Sequence, residues 1–132
     1  MLRLQMVARW NQRWRKVDTA KTTKAFFPTV TSRQRVKSIP CFKSTQMLTG
    51  HGCFNAYLAS RLLQIEDRCI CGAKQTALHL IRKCPVTQYL RHQFECQSGK
   101  SLRNLPDCAQ SSHFMPFLNA IMDMELHLIS LV

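Results

Sequence analysis

Residues 69 to 85 read CICGAKQTALHLIRKCP, and within them three cysteines and one histidine stand at the spacing C-x-C-x7-H-x4-C. Three thiolates and an imidazole match, in number and type, the tetrahedral ligand set of a structural zinc ion. Cys69, Cys71, His79 and Cys84 are therefore candidate ligands of one Zn2+. A metal here would tie a turn to a helix and so restrict the fold around it. The flanking residues suit that geometry. Gly72 permits a sharp turn after the second cysteine, and residues 75–84 are compatible with a helix that starts near Thr76. On one continuous helix Cys84 would lie about 140° around from His79, but Pro85 disfavours the helical conformation at Cys84 and can let the sulfur turn back. The single residue between Cys69 and Cys71 is shorter than the usual two and strains the turn. Two alternatives stay open. The cysteines can be small buried apolar side chains with His79 a core histidine, or one ligand can be replaced by His51, Cys53, His92 or Cys96, of which His92 and Cys96 at i and i+4 form the best spare pair.

A chain of 132 residues corresponds to about one domain and can bury roughly two-thirds of its unfolded surface. It contains no run of about 18 uncharged apolar residues able to cross a bilayer, so no membrane partner is expected. The opening MLRLQMVARW is interrupted by arginines and does not read as a secretory signal. With seven cysteines, an odd number, the thiols are expected to be reduced and disulfides are the weak explanation of the cluster. The net charge of +12 is unevenly placed: residues 1–43 hold eleven of the nineteen Lys and Arg but one of the seven acidic residues. That first third is where contact with a polyanion is expected.

The periodicity predicts a mainly α fold: a small helical domain with a zinc-knuckle-like turn and an extended basic N-terminal connector. Residues 2–17 place Val7, Trp10, Trp14 and Val17 on one helical stripe. Residues 18–43 show no sustained period and read as an extended connector anchored by Phe26 and Phe27. Two helices are expected between 44 and 66, stopped and restarted around the TGHG sequence, with Gly50 in the left-handed conformation and Phe54, Tyr57, Leu58, Leu62 and Ile65 on the second. Packing is the plain role of this pair; groove reading by the second helix is the sharper one. Residues 86–95 are weakly helical, 99–112 form a loop, and the tail from His113 is a core helix carrying Phe114, Phe117, Leu118, Ile121, Met122, Leu128 and Ile129. Three segments follow: 1–43, basic helix plus connector; 44–96, helix pair and metal module; 97–132, loop and apolar helix.

The string QMLTGHGCFNAYLASRLLQIEDRCICGAKQTALHLIRKCP resembles the C-terminal region of animal non-LTR (LINE-type) retrotransposon polyproteins. In that family an L-T-G-H-G-x-F-x-x-Y-L segment precedes a C-x-C-G…Q-T…H…C-P cluster, downstream of the reverse transcriptase and ribonuclease H. Leu48 to Phe54, Tyr57 and Leu58 match the first part; Cys69, Cys71, Gly72, Gln75, Thr76, His79, Cys84 and Pro85 match the second. The upstream RWNQRWRKVDTAKTTKAFFPTV is similar to the helix and F-F-P connector that lead into this region, so the likeness covers residues 9 to about 90. The family shares the C-x-C spacing, which weakens the objection to it.

The resemblance implies nucleic-acid handling beside a polymerase, with RNA or DNA as partner, and the reverse transcriptase domain or another protein as a further one. The chain itself lacks the carboxylate clusters of either catalytic domain: Asp18, Glu66, Asp67, Glu95, Asp107, Asp123 and Glu125 are few and scattered. A non-catalytic role is therefore expected, with His51 a loop or packing residue. Phosphates would be met by Arg9, Arg13, Arg15 and Lys16, extended through Arg33, Arg35 and Lys37, with Lys74, Arg82 and Lys83 around the knuckle. Trp10 and Trp14 are core-facing in the plain interpretation and base-stacking in the other. A nuclear or cytoplasmic location is expected; an Arg-rich, acid-poor start also resembles a mitochondrial transit peptide, against which the continuing family likeness argues.

Overall fold

The computed structural model describes the backbone of residues 2–130 and the side chains of residues 2–124. Helices account for its regular structure: α1 Leu2–Lys16, α2 Lys21–Phe26, α3 Val30–Gln34, α4 Phe42–Thr49, α5 Asn55–Ser60, α6 Ala77–Arg82, α7 Gln88–Ser98, α8 Leu105–Ala109 and α9 Phe114–Ser130, with a single 3-10 turn, Pro85–Thr87, between α6 and α7. Among the described residues the one β feature is an isolated antiparallel bridge between Arg68 and Lys74. No helix of the described residues is long and apolar enough to cross a membrane.

The core is built around α9. Its Phe114, Leu118, Ile121 and Met122 are fully buried, and Phe117 nearly so. Phe114 meets Phe26 at a centroid distance of 5.6 Å and Phe94 at 5.7 Å, while Phe94 stacks on Phe117 at 4.9 Å. Against these pack Met47 of α4, Phe54 before α5, and Leu80 and Ile81 of α6. Cys69 and Cys84 belong to the same apolar cluster, so the candidate metal centre is continuous with the core. Of the apolar tail residues expected on α9, Leu128 and Ile129 lie outside the residues with described side chains.

Three expectations need correction. The segment expected to be an extended connector folds into α2 and α3. Thr29 caps α3 by accepting the Ser32 N–H at 3.0 Å, and the Ser32 hydroxyl oxygen accepts the Thr29 N–H at 3.2 Å. Helices of five or six residues are too short to display a period; α2 is held by Phe26 and Phe27, both buried, and the Val30 N–H that opens α3 donates to Asn11 Oδ1 at 2.7 Å. The second helix of the pair stops at Ser60, leaving Leu62 and Ile65 exposed at 92% and 101%. Leu62 takes φ 58°; its N–H donates to Ala59 O and that of Leu63 to Leu58 O, a left-handed helix stop usually made by glycine. The 99–112 loop contains α8, capped by Asn104, whose Oδ1 accepts the Asp107 N–H at 3.2 Å. Gly50 does end α4 with φ 74°.

Candidate metal centre

A tight reversal carries the first two cysteines. Arg68 and Lys74 pair across it; Cys69 N–H donates to Ala73 O at 2.6 Å, and Gly72 N–H donates back to Cys69 O at 2.8 Å. Gly72 has φ 97°, a conformation that side chains disfavour, and this is how one intervening residue suffices between Cys69 and Cys71. On the other wall, Thr76 Oγ1 accepts the His79 N–H at 3.1 Å and starts α6 in the register that brings the imidazole to the turn. The helix ends at Arg82. Cys84, ahead of Pro85, is extended (φ −67°, ψ 125°), while its N–H still donates to His79 O at 2.9 Å. The chain thereby bends the sulfur back toward the imidazole.

The four ligand atoms converge. Cys69 Sγ lies 3.6 Å from Cys84 Sγ, Cys71 Sγ lies 3.3 Å from His79 Nε2, and all four are within 4.8 Å of one another. A tetrahedral ion with metal–sulfur bonds of about 2.3 Å and metal–nitrogen bonds of about 2.0 Å has edges of about 3.8 Å (S–S) and 3.5 Å (S–N). The donor set therefore fits a soft divalent metal in ligand number, type and spacing. Among the described residues this is the only group of three or more His, Cys, Asp or Glu side chains placed to share an ion. No disulfide joins cysteines among the described residues.

The ligands sit in unlike surroundings. Cys69 and Cys84 are buried, His79 is half-buried and Cys71 is exposed. The Ala73 backbone N–H, directed at Cys71, holds that thiol below its ordinary value. Burial pushes the Cys84 thiol up to about 11. His79 is held below its ordinary value by burial, then by the cations Arg91 and Lys83, so its imidazole is neutral and able to ligate at neutral pH.

The alternative ligands stand apart from this group. His92 Nε2 and Cys96 Sγ are 3.6 Å apart on the exposed face of α7. His51 stacks on the Tyr57 ring at 4.7 Å, and Cys53 lies beside Gln46, whose Oε1 accepts its backbone N–H at 3.2 Å. Of the basic residues, Arg9, Arg13, Arg15 and Lys16 are exposed on α1, and Arg35 and Lys37 are exposed beyond α3. Arg33 is half-buried, with its guanidinium over the Phe27 ring at 5.7 Å. Lys74, Arg82 and Lys83 are exposed around the metal centre. Trp14 is half-buried and donates from Nε1 to Phe27 O at 2.8 Å, whereas Trp10 remains 43% exposed. Arg91 and Arg103 escaped the sequence reading: neither stands in a cluster of basic residues, and only the folded chain brings both beside Arg82 and Lys83.

The chain is 33% identical over 89 residues to the 115 kDa protein of type-1 retrotransposable element R1DM of Drosophila melanogaster, and 35% identical over 80 residues to a Pol polyprotein of R1 4 from Nasonia vitripennis. A third relative, the R1 Pol polyprotein of Bradysia coprophila, is 32% identical over 97 residues. The chain is homologous to a segment of non-LTR retrotransposon polyproteins. The matches cover 65%, 58% and 72% of this chain but 9%, 20% and 10% of those relatives, so it corresponds to a small part of each polyprotein. Neither a protein-family model nor a solved structure matches it. The shared retrotransposon ancestry accords with the motif resemblance, and the four-ligand centre lies within the stretch that carries it.

Proposed function

We propose that this chain is a non-catalytic, zinc-stabilised nucleic-acid-binding module of a non-LTR retrotransposon polyprotein. The observation that carries the proposal is the convergence of Cys69, Cys71, His79 and Cys84 in a chain related to R1 polyproteins. Zinc would supply folding free energy, holding the 68–74 turn against α6. The residues around it do the positioning: Gly72 makes the turn, Thr76 starts α6 and Pro85 ends it. The strong basic excess then serves phosphate contacts through Arg9, Arg13, Arg15, Lys16, Arg33, Arg35, Lys37, Lys74, Arg82 and Lys83, with little sequence preference because such contacts read backbone rather than bases. The non-catalytic part rests on the scattered acidic residues. The module would work where the polyprotein works, in nucleus or cytoplasm.

Two measurements on the full chain test this. Native mass spectrometry of reduced protein should find one zinc, and affinity for RNA or DNA should fall steeply as salt rises. A folded protein without zinc, or with affinity insensitive to salt, contradicts the proposal.

A second reading is favoured by the exposed apolar side chains of α1. The helix buries no residue, and Leu2, Met6 and Trp10, spaced four residues apart along one face, are exposed at 79%, 50% and 43%. In a polyprotein this face would pack on a neighbouring domain such as the polymerase. A stable complex with that domain, and no nucleic-acid binding by the chain alone, would favour this role.

A further inference from the structure

The end of α6, the outer face of α7 and the turn before α8 form an open cleft lined by Arg82, Lys83, Arg91 and Arg103. These four cations come from three places in the chain, Arg82 and Lys83 being adjacent, and gathering them costs mutual repulsion. The cleft has one carboxylate, Glu95, and its Oε2 already accepts the backbone N–H of Leu102 at 3.0 Å. None of the four cations forms an ion pair among the described residues, where the two ion pairs are Lys43–Asp123 and Lys100–Asp107. Glu95 offsets part of this charge, and the cleft keeps a net positive charge that an external anion can meet.

One of the four is held in place before any ligand arrives. Arg91 Nη1 donates to Thr87 Oγ1 at 2.6 Å; Thr87 is 1% exposed, and its hydroxyl lies 2.6 Å from Leu80 O. A guanidinium anchored on one side keeps further N–H groups for the planar, two-point contact that phosphate oxygens accept. Arg82 and Lys83 directly precede the ligand Cys84, so the metal centre fixes that wall of the cleft.

We propose that this cleft binds a backbone phosphate of a nucleic-acid strand, with Arg91 and Arg103 joining Arg82 and Lys83 as phosphate ligands. The inference rests on the nucleic-acid-binding role above and deepens it by placing a main contact at the back of the metal centre.

The test uses zinc-loaded full chain and short labelled single strands of RNA and of DNA, titrated at several salt concentrations. Arg82→Gln/Arg103→Gln changes two exposed side chains and should leave helicity and zinc content at wild-type levels. It should weaken binding by about tenfold and make the slope of log K against log salt shallower by about 1.4, the counterion release of two phosphate contacts on a single strand. Arg82→Lys/Arg103→Lys, which keeps the charge, should restore most of the slope. Arg91→Gln should weaken binding in the same direction. Wild-type protein that binds with a steep salt dependence, unchanged in the glutamine variants, would overturn the cleft assignment while leaving the nucleic-acid role standing. Wild-type protein that binds neither strand would overturn the role itself. Inorganic phosphate displacing the strands at stoichiometric concentration would reassign the cleft to free phosphate.

Discussion

Gln75 accepts the backbone N–H of Asn55 through its side-chain Oε1 at 2.8 Å, so the first turn of α5 is capped by a residue from the loop that carries Cys69 and Cys71. Its backbone carbonyl takes the next amide, Ala56 N–H, at 3.0 Å, and Asn55 Nδ2 donates in return to Arg68 O at 2.7 Å. These contacts join the two motif blocks that the sequence separates by some ten residues. Because Gln75 is 5% exposed, Gln75→Leu should leave the Asn55 amide without its partner and cost about 1–3 kcal/mol. Urea denaturation of the zinc-loaded protein measures this; a loss below the error of the fit would show that water or a shifted backbone replaces the contact.

Removing a ligand should remove the metal. His79→Ala and Cys84→Ala are each expected to lose the bound zinc in native mass spectrometry and to lower the melting temperature, because the binding free energy is folding free energy. His92→Ala/Cys96→Ala, which alters the exposed pair on α7, should keep one zinc. Retention of metal by Cys84→Ala would place the ion elsewhere.

Zinc uptake should be pH-dependent in two regimes. Near pH 7 His79 is neutral, its value being lowered from 6.5, while Cys84, raised to about 11, still carries its proton. Binding at pH 7 therefore releases protons from thiols and none from the imidazole, and affinity rises with pH. As pH falls through the lowered value of His79, the imidazole becomes charged and the slope of log affinity against pH steepens by about one proton. Calorimetry in buffers of differing ionisation enthalpy counts the protons, and a slope that does not steepen on acidification would remove His79 from the ligand set.

The left-handed Leu62 offers a stability gain. It is 92% exposed at φ 58°, and glycine adopts that conformation without the contact between Cβ and the following carbonyl. Leu62→Gly should stabilise the chain by up to about 1 kcal/mol, the greater chain entropy of glycine offsetting part of the relief. A loss of stability in thermal denaturation would mean that the leucine makes contacts of value.

Packing in the T-G-H-G stretch predicts the opposite sign nearby. A Cβ at Gly52 would collide with the Gln46 side chain, which is 8% exposed and already accepts the Cys53 N–H. Gly52→Ala should cost about 1–3 kcal/mol by displacing it, measurable in the same denaturation series.

By itself the sequence determined the helical class, the four candidate ligands and the local devices around them: the Gly72 turn, the Thr76 cap, the Pro85 break and the Gly50 helix stop. Each is local, written in residues a few positions apart, and its chemistry survives in any fold that keeps the chain there. Short helices were not legible, because α2, α3 and α8 span five or six residues; α2 and α8 are held by Phe26, Phe27, Leu105 and Cys108 packing into a shared core, and α3 by its Thr29 cap and the Asn11 side chain. The end of α5 was missed for a different reason: a leucine took the conformation that glycine normally signals. Tertiary structure alone decided that Gln75 caps α5 and that Arg91 and Arg103 join Arg82 and Lys83. Such contacts link residues far apart in the chain, and their geometry follows from how helices pack around α9 rather than from any pattern a single stretch can carry.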